Sequence, residues 1–121
     1  MATRTIIGNL AEDPTKAQAG QATVARLIVL ENTGRYVRGE FQKDATPTRH
    51  NVEAWFDLGE NAAATLRQGM SVIVVGDEHT ESWGEGNERQ FRRVLRATAI
   101  GPDLRFQVAQ VRKVERADNG Q

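Results

Sequence analysis

At 121 residues, with 39% apolar and 26% charged content, the chain has room for one hydrophobic core and none of the composition of a disordered polyelectrolyte or a membrane protein. No apolar run approaches the ~20 residues that cross a bilayer and no signal-peptide core follows Met1, so no membrane association is expected. The absence of Cys excludes disulfides and thiolate metal sites and fits a cytoplasmic protein.

Thr3–Leu10 reads as a first strand, closed by the turn-rich Ala11-Glu12-Asp13-Pro14. Residues 15–22, with Gly20, read as a hairpin loop. Thr23–Leu30 is the second strand, apolar on both sides and so covered at least in part on both faces. Residues 31–47 form a long polar excursion, and Thr48–Phe56 is the third strand. A helix of about three turns follows, with Asp57 and Glu60 as a capping box, Leu58, Ala62 and Leu66 as its apolar stripe, and Gly69 as its left-handed stop.

Ser71–Val75 is a buried strand that Glu78–Trp83 extends outward to a flexible Gly84–Asn87 turn. Glu88–Ile100 is a long fifth strand, and the alternation of Leu104, Phe106 and Val108 within Leu104–Val114 predicts a sixth. Three strands, a helix and two more strands is the order of an OB-fold: all-β with one helix, a five-stranded barrel whose helix sits between strands three and four. A small sandwich would leave the helix without a role. The expected organisation is a barrel domain over residues 1–101, a clamp-like interface strand over 102–116 and a short polar tail over 117–121.

Enzymatic constellations do not occur: there is no Walker loop, no GxGxxG after a strand and no His-Glu-x-x-His. His50 and His79 lack ligand-spaced partners, and Asp77/Glu78 are strand neighbours facing opposite ways. Neither a catalytic activity nor a cofactor or metal is expected.

The formal net charge is zero, which at first argues against a nucleic-acid partner, yet charge is unevenly spread. Residues 57–87 carry six acidic residues against one Arg, and residues 88–116 carry eight Arg or Lys against three acidic residues. A neutral protein can therefore present a basic stripe, although solvated strand faces also carry charge. Among the aromatics, Trp83 stands in an acidic, polar stretch where a core Trp would find no partners, and Tyr36 lies in a loop among Arg35, Arg38 and Lys43. Such side chains stack unpaired bases while nearby cations meet phosphates. Of Trp55 and Phe56, one is expected in the core, because strand neighbours face opposite ways. Phe106, with Leu104 and Val108, is expected at an oligomer interface.

Gly8-Asn9-Leu10 with Asp13-Pro14, Val24-Ala25 after Gly20, His50 through Trp55 to Leu66-x-x-Gly69, and Val72 to Gly76 together resemble the bacterial single-stranded DNA-binding proteins over roughly residues 3–115. Ile100-Gly101-Pro102-x-Leu104-Arg105-Phe106 is similar to their actinobacterial branch, in which a strand after the barrel clamps neighbouring subunits. The resemblance implies a cytoplasmic, nucleoid-associated homotetramer that wraps single-stranded DNA without sequence specificity during replication, recombination and repair. It places stacking aromatics at Trp55 and Trp83, with Arg35 or Tyr36 near a third position in the long loop, and His50 at a protomer contact. Arg49 replaces an aromatic of the family, and a guanidinium can both stack on a base and meet a phosphate. The resemblance also implies replication and repair proteins as partners, but these 121 residues do not include the long polar tail and acidic, hydrophobic tip through which the family docks them.

Arg26, Arg35, Arg49, Arg92 and Arg96 are the candidate phosphate or stacking cations, expected on both strand faces so that some are neutral. The rival reading is an OB-fold replication accessory protein of the primosomal kind that mainly binds protein partners. A cold-shock-like RNA binder fits less well, because those modules are shorter and cluster aromatics on adjacent strands.

Overall fold

Ile6, Leu27, Val29, Val52, Val72, Val74 and Leu95 are all buried in one cluster, with Leu27 and Val29, and likewise Val72 and Val74, two residues apart on the same side of their strands. In the computed structural model, which describes residues 2–115, they line the inside of a barrel. Its elements are β1 (Ala2–Leu10), β2 (Thr15–Ala19), β3 (Ala22–Glu31), β4 (Gly34–Val37), β5 (Glu40–Lys43), β6 (Thr48–Trp55), α1 (Phe56–Thr65), β7 (Ser71–Trp83) and β8 (Gln90–Pro102).

The main sheet runs in the order β1-β7-β8-β6-β3-β2, and β1 also pairs β3, which closes a ring of five strands. This is the expected OB-fold barrel, with α1 between its third and fourth strands. Three of the joins are long: β1 pairs β7 from Ala2↔Glu78 to Asn9↔Ser71, β3 pairs β6 from Val24↔Trp55 to Glu31↔Thr48, and β7 pairs β8 from Val72↔Pro102 to Trp83↔Gln90. Two are short. β1 meets β3 only at Asn9↔Leu30 and Leu10↔Val29, and β6 meets β8, in parallel, only at Val52↔Leu95 and Glu53↔Arg96.

The helix packs Ala62 and Leu66 into the core. Gly59 lets it approach β6 closely, since a Cβ there would fall 2.3 Å from the Ala54 carbonyl oxygen. Its ends differ from expectation. Trp55 is the N-cap and no side chain caps the helix, because the chain turns straight from strand to helix at Phe56, φ 59°. Asp57 is thus already inside the first turn, where it favours the helix dipole without capping it. Glu60 faces β2 and β3 instead, accepting from Thr23 Oγ1 at 2.8 Å and Lys16 Nζ at 3.1 Å.

Gly69 is not the helix stop. The helix ends at an extended Leu66, and Gly69, φ 89°, is the third residue of an Arg67–Met70 turn closed by Met70 N–H to Arg67 O at 3.0 Å. That turn is clasped to the end of β1. Gly69 N–H donates to Leu10 O (2.9 Å), Asn9 Nδ2 to Gly69 O (3.1 Å) and Gln68 N–H to Asp13 Oδ1 (2.8 Å). The Asn9, Leu10 and Asp13 of the opening motif therefore serve to lock the barrel's first strand to the entry of its fourth.

Three further expectations change. Residues 15–19 are not loop but strand, paired with β3 from Thr15↔Arg26 to Ala19↔Ala22. This edge strand is mostly exposed on both faces and carries no apolar alternation to read. The 31–47 excursion contains the β4–β5 hairpin, turning at Arg38 and Gly39, both at positive φ, and pinned at its base by Thr33 Oγ1 to Asp44 Oδ2 at 2.7 Å.

The sixth strand over Leu104–Val114 is not formed: residues 103–115 contain no strand, and Leu104, Phe106 and Val108 are exposed. A strand needs a ladder partner, and this segment finds none in its own chain after Asp103 N–H bonds Ser71 O at 2.9 Å. Residues 117–121, the expected polar tail, lie outside the described residues, as does Arg116 at the end of the expected clamp.

Candidate nucleic-acid interface

Residues paired across a ladder share a face, so the registers fix what the outside of the barrel presents. Val24↔Trp55, Arg26↔Glu53, Ile28↔Asn51 and Leu30↔Arg49 place one outer set on β3 and β6. Glu53↔Arg96 carries that face onto β8, and Arg96↔Asp77, Val94↔His79, Arg92↔Glu81 and Gln90↔Trp83 carry it onto β7. Trp55, Trp83, Arg26, Arg49, Arg92 and Arg96 therefore stand on one continuous surface. The expectation that these arginines divide between opposite faces is overturned for the four in the barrel. Arg35 and Tyr36 sit apart, on the separate β4–β5 hairpin, where the exposed Tyr36 ring meets Phe41 edge-on at 5.3 Å.

Val24 and Val94 are buried yet lie outside the main core cluster, and the registers place both on this outer face. Beside Val94, a groove of about 190 Å³ is lined by Arg26, Ile28, Arg49, Asn51, Glu53 and Arg92.

Each indole has a Glu–Arg pair beside it. Trp55 Nε1–H donates to Glu53 Oε1 at 3.2 Å, Arg26 Nε lies 3.9 Å from Glu53 Oε2, and the Arg96 guanidinium stands 5.3 Å from the Trp55 ring centroid. At the other end, Arg92 Nη2 donates to Glu81 Oε1 at 2.9 Å and its guanidinium lies 5.8 Å from the Trp83 ring centroid. The hydrogen bond from Arg92 holds the Glu81 carboxyl below its usual range, helped by His79 and opposed by slight burial. Of the four arginines on this face, Arg26 and Arg92 are in ion pairs while Arg49 and Arg96 form none, so these two are the more available there to an anion.

Neither Glu53 nor Glu81 was singled out from sequence. Their signal is a cross-strand partner, visible only once the register is known. Phe56 was expected to share an alternating strand with Trp55, so that one ring would be core. Neither ring is: Trp55 is half-buried on the outer face and Phe56 is exposed, because φ 59° at Phe56 breaks the alternation. Trp83 is exposed, as its polar neighbours predict. Asp77 and Glu78 do point oppositely: Asp77 accepts from Thr3 Oγ1, while Glu78 pairs Arg4 and Arg93 on the other side.

His50 is buried, its Nε2 2.8 Å from Glu31 Oε1. Among the described residues no cluster of three His, Cys, Asp or Glu is placed to hold a metal, and no helix is long and apolar enough to cross a membrane.

The profile of the single-strand binding protein family matches residues 1–103. The chain belongs to that family. Relatives within it include Single-stranded DNA-binding protein 1 of Tropheryma whipplei, 33% identical over 98% of this chain and 66% of the relative. The single-stranded DNA-binding protein of Mycobacterium tuberculosis is 35% identical over 95% of this chain and 72% of its own length. The Bifidobacterium longum protein is 31% identical, and the alignment covers only 55% of it. The chain thus spans between about half and three quarters of the length of these relatives.

Two solved single-strand binding protein structures share the fold. The small single-stranded DNA-binding protein of Streptomyces coelicolor aligns with a TM-score of 0.72 at 20% identity, covering 85% of this chain and 94% of that one. The second such protein of Mycobacterium smegmatis aligns at 0.71 with 28% identity, covering 92% and 97%. Family membership favours this class over the primosomal accessory reading.

Proposed function

We propose that the protein binds and protects single-stranded DNA without sequence specificity, in replication, recombination and repair. One observation carries the reading: Trp55 and Trp83 lie on the same outer face as Arg26, Arg49, Arg92 and Arg96. Aromatic platforms hold bases of any identity through their π-faces, and the arginines between them meet the backbone. Arg35 and Tyr36 on the β4–β5 hairpin form a second contact beside this face.

The working unit in this reading is a homotetramer. Leu104, Phe106 and Val108, exposed in one chain, would be covered by neighbouring subunits, and His50 would support a protomer contact by holding Glu31. Residues 103–115, within the expected interface strand over 102–116, would gain in the assembly the strand partner they lack alone, as an appendage to a DNA-binding domain of residues 1–101.

Titrating tryptophan fluorescence with poly-dT at two salt concentrations tests the function. The expected result is quenching whose affinity falls steeply with salt, by about 0.7 in log–log slope for each phosphate neutralised. Absence of quenching, or affinity indifferent to salt, would reject it.

A further inference from the structure

Phe56 combines two features that no other described residue shares: a left-handed backbone at φ 59° and a large apolar side chain that is 61% exposed. That backbone region is unfavourable for a bulky L-residue, and strain of this kind concentrates at functional positions. The strand-to-helix junction needs the left-handed residue, and glycine would supply it without strain. An aromatic kept there with most of its surface in water adds little to core burial.

Its neighbours say what it would hold. The Phe56 and Trp55 ring centroids are 6.2 Å apart with planes tilted by 48°, so the rings adjoin without covering one another. On its other side Trp55 meets the Arg96 guanidinium. Arg96, Trp55 and Phe56 thus form a strip that leaves the sheet face and rounds the barrel where β6 passes into α1. The charged groups beside Phe56 are acidic: Asp57 follows it, and Glu60 lies one helical turn on, its charge partly offset by Lys16. These acids disfavour a phosphate, so the group that suits this ring is an uncharged, flat one.

We propose that Phe56 is an additional base-stacking platform, taking the nucleobase next to one held by Trp55 and carrying the bound strand past the end of the sheet face. The proposal rests on the DNA-binding reading above. It is tested by measuring affinity for dT oligomers, thermal midpoint and mass for Phe56→Gly, Phe56→Leu and Phe56→Tyr, with Trp55→Ala and Trp83→Ala in parallel. Phe56→Gly and Phe56→Leu should both lose about 5- to 150-fold in affinity, as the removal of one base–aromatic stack does, with the salt slope unchanged. Phe56→Tyr should retain binding. The midpoint of Phe56→Gly should hold or rise, since the strain is relieved.

Wild-type affinity in Phe56→Leu, a lowered midpoint with unaltered affinity in Phe56→Gly, or a change of oligomeric mass would each overturn the platform. If affinity survives at Phe56 but is lost in Trp55→Ala and Trp83→Ala, only this inference fails. If none of the variants loses affinity, the DNA-binding face itself is misplaced.

Discussion

Glu81 controls how freely Arg92 can be offered to a phosphate. In the free protein the pair is formed, and the Glu81 carboxyl is held below its usual value of 4.5 chiefly by that hydrogen bond. A phosphate that takes Arg92 leaves Glu81 without its partner, so the carboxyl moves back toward 4.5 in the complex. The bound state then takes up a proton more readily, and affinity rises as pH falls through the window between the lowered value and 4.5. For folding the sign is opposite: the pair's support is present above 4.5 and is lost as pH falls through the lowered value. Glu81→Gln should bind dT oligomers more tightly at neutral pH and lose this acid-dependent gain, as a pH series of titrations would show. Trp83→Ala should cost about 1–3 kcal/mol of affinity with the salt slope kept. Its midpoint should barely move, since the ring is 51% exposed; a drop of several degrees with affinity intact would make it a packing residue. Trp83 was legible in the sequence because its polar neighbours could not bury an indole. Phe56 was not, because its exposure follows from a single backbone angle that composition does not reveal.

At the level of elements, the β7–β8 ribbon shows what pattern reading captures and what it leaves out. β7 was evident from its Val and Ile run and β8 was read as a long strand, but the irregularity at Val75/Gly76, which resets the register between them, was not legible. Gly76 sits there because a Cβ would fall 2.2 Å from the Arg96 carbonyl oxygen, backbone that cannot yield cheaply. Gly76→Ala should therefore lower the thermal midpoint, by a loss on the order of 1–3 kcal/mol. It should also weaken DNA binding, because the strand it displaces carries Arg92 and Arg96; calorimetry and a dT titration on the same sample check both. The edge strand β2 and the β4–β5 hairpin were missed for a different reason. Both are largely exposed, so neither carries the apolar alternation that marks a half-buried strand.

Across the whole molecule, a net charge of zero conceals a face on which four arginines converge, and only the closed barrel brings residues 26, 49, 92 and 96 together. The order of elements was readable in one dimension, whereas the face needed the register. Association belongs to this scale too. Ending the chain at Asp103 removes side chains that are 59% (Leu104), 89% (Phe106) and 97% (Val108) exposed, so the isolated fold should lose little. If those side chains clasp neighbouring subunits at about 1.5–3 kcal/mol each, light scattering should show the mass fall and the midpoint become concentration-dependent. Unchanged mass and midpoint would make the segment a passive extension. The barrel's short parallel join has its own consequence. Because β6 and β8 share only two residue pairs, one of them Glu53↔Arg96, this join is, with the equally short β1–β3 join, one of the two places where the ring has least to hold it against local opening. A ligand lying across both strands bridges that gap, and its binding energy is coupled to keeping the ring shut. Amide hydrogen exchange at residues 52, 53, 95 and 96 should accordingly slow more on addition of dT oligomer than exchange in the middle of the β3–β6 ladder. The DNA would then act as a removable staple for the barrel that carries it.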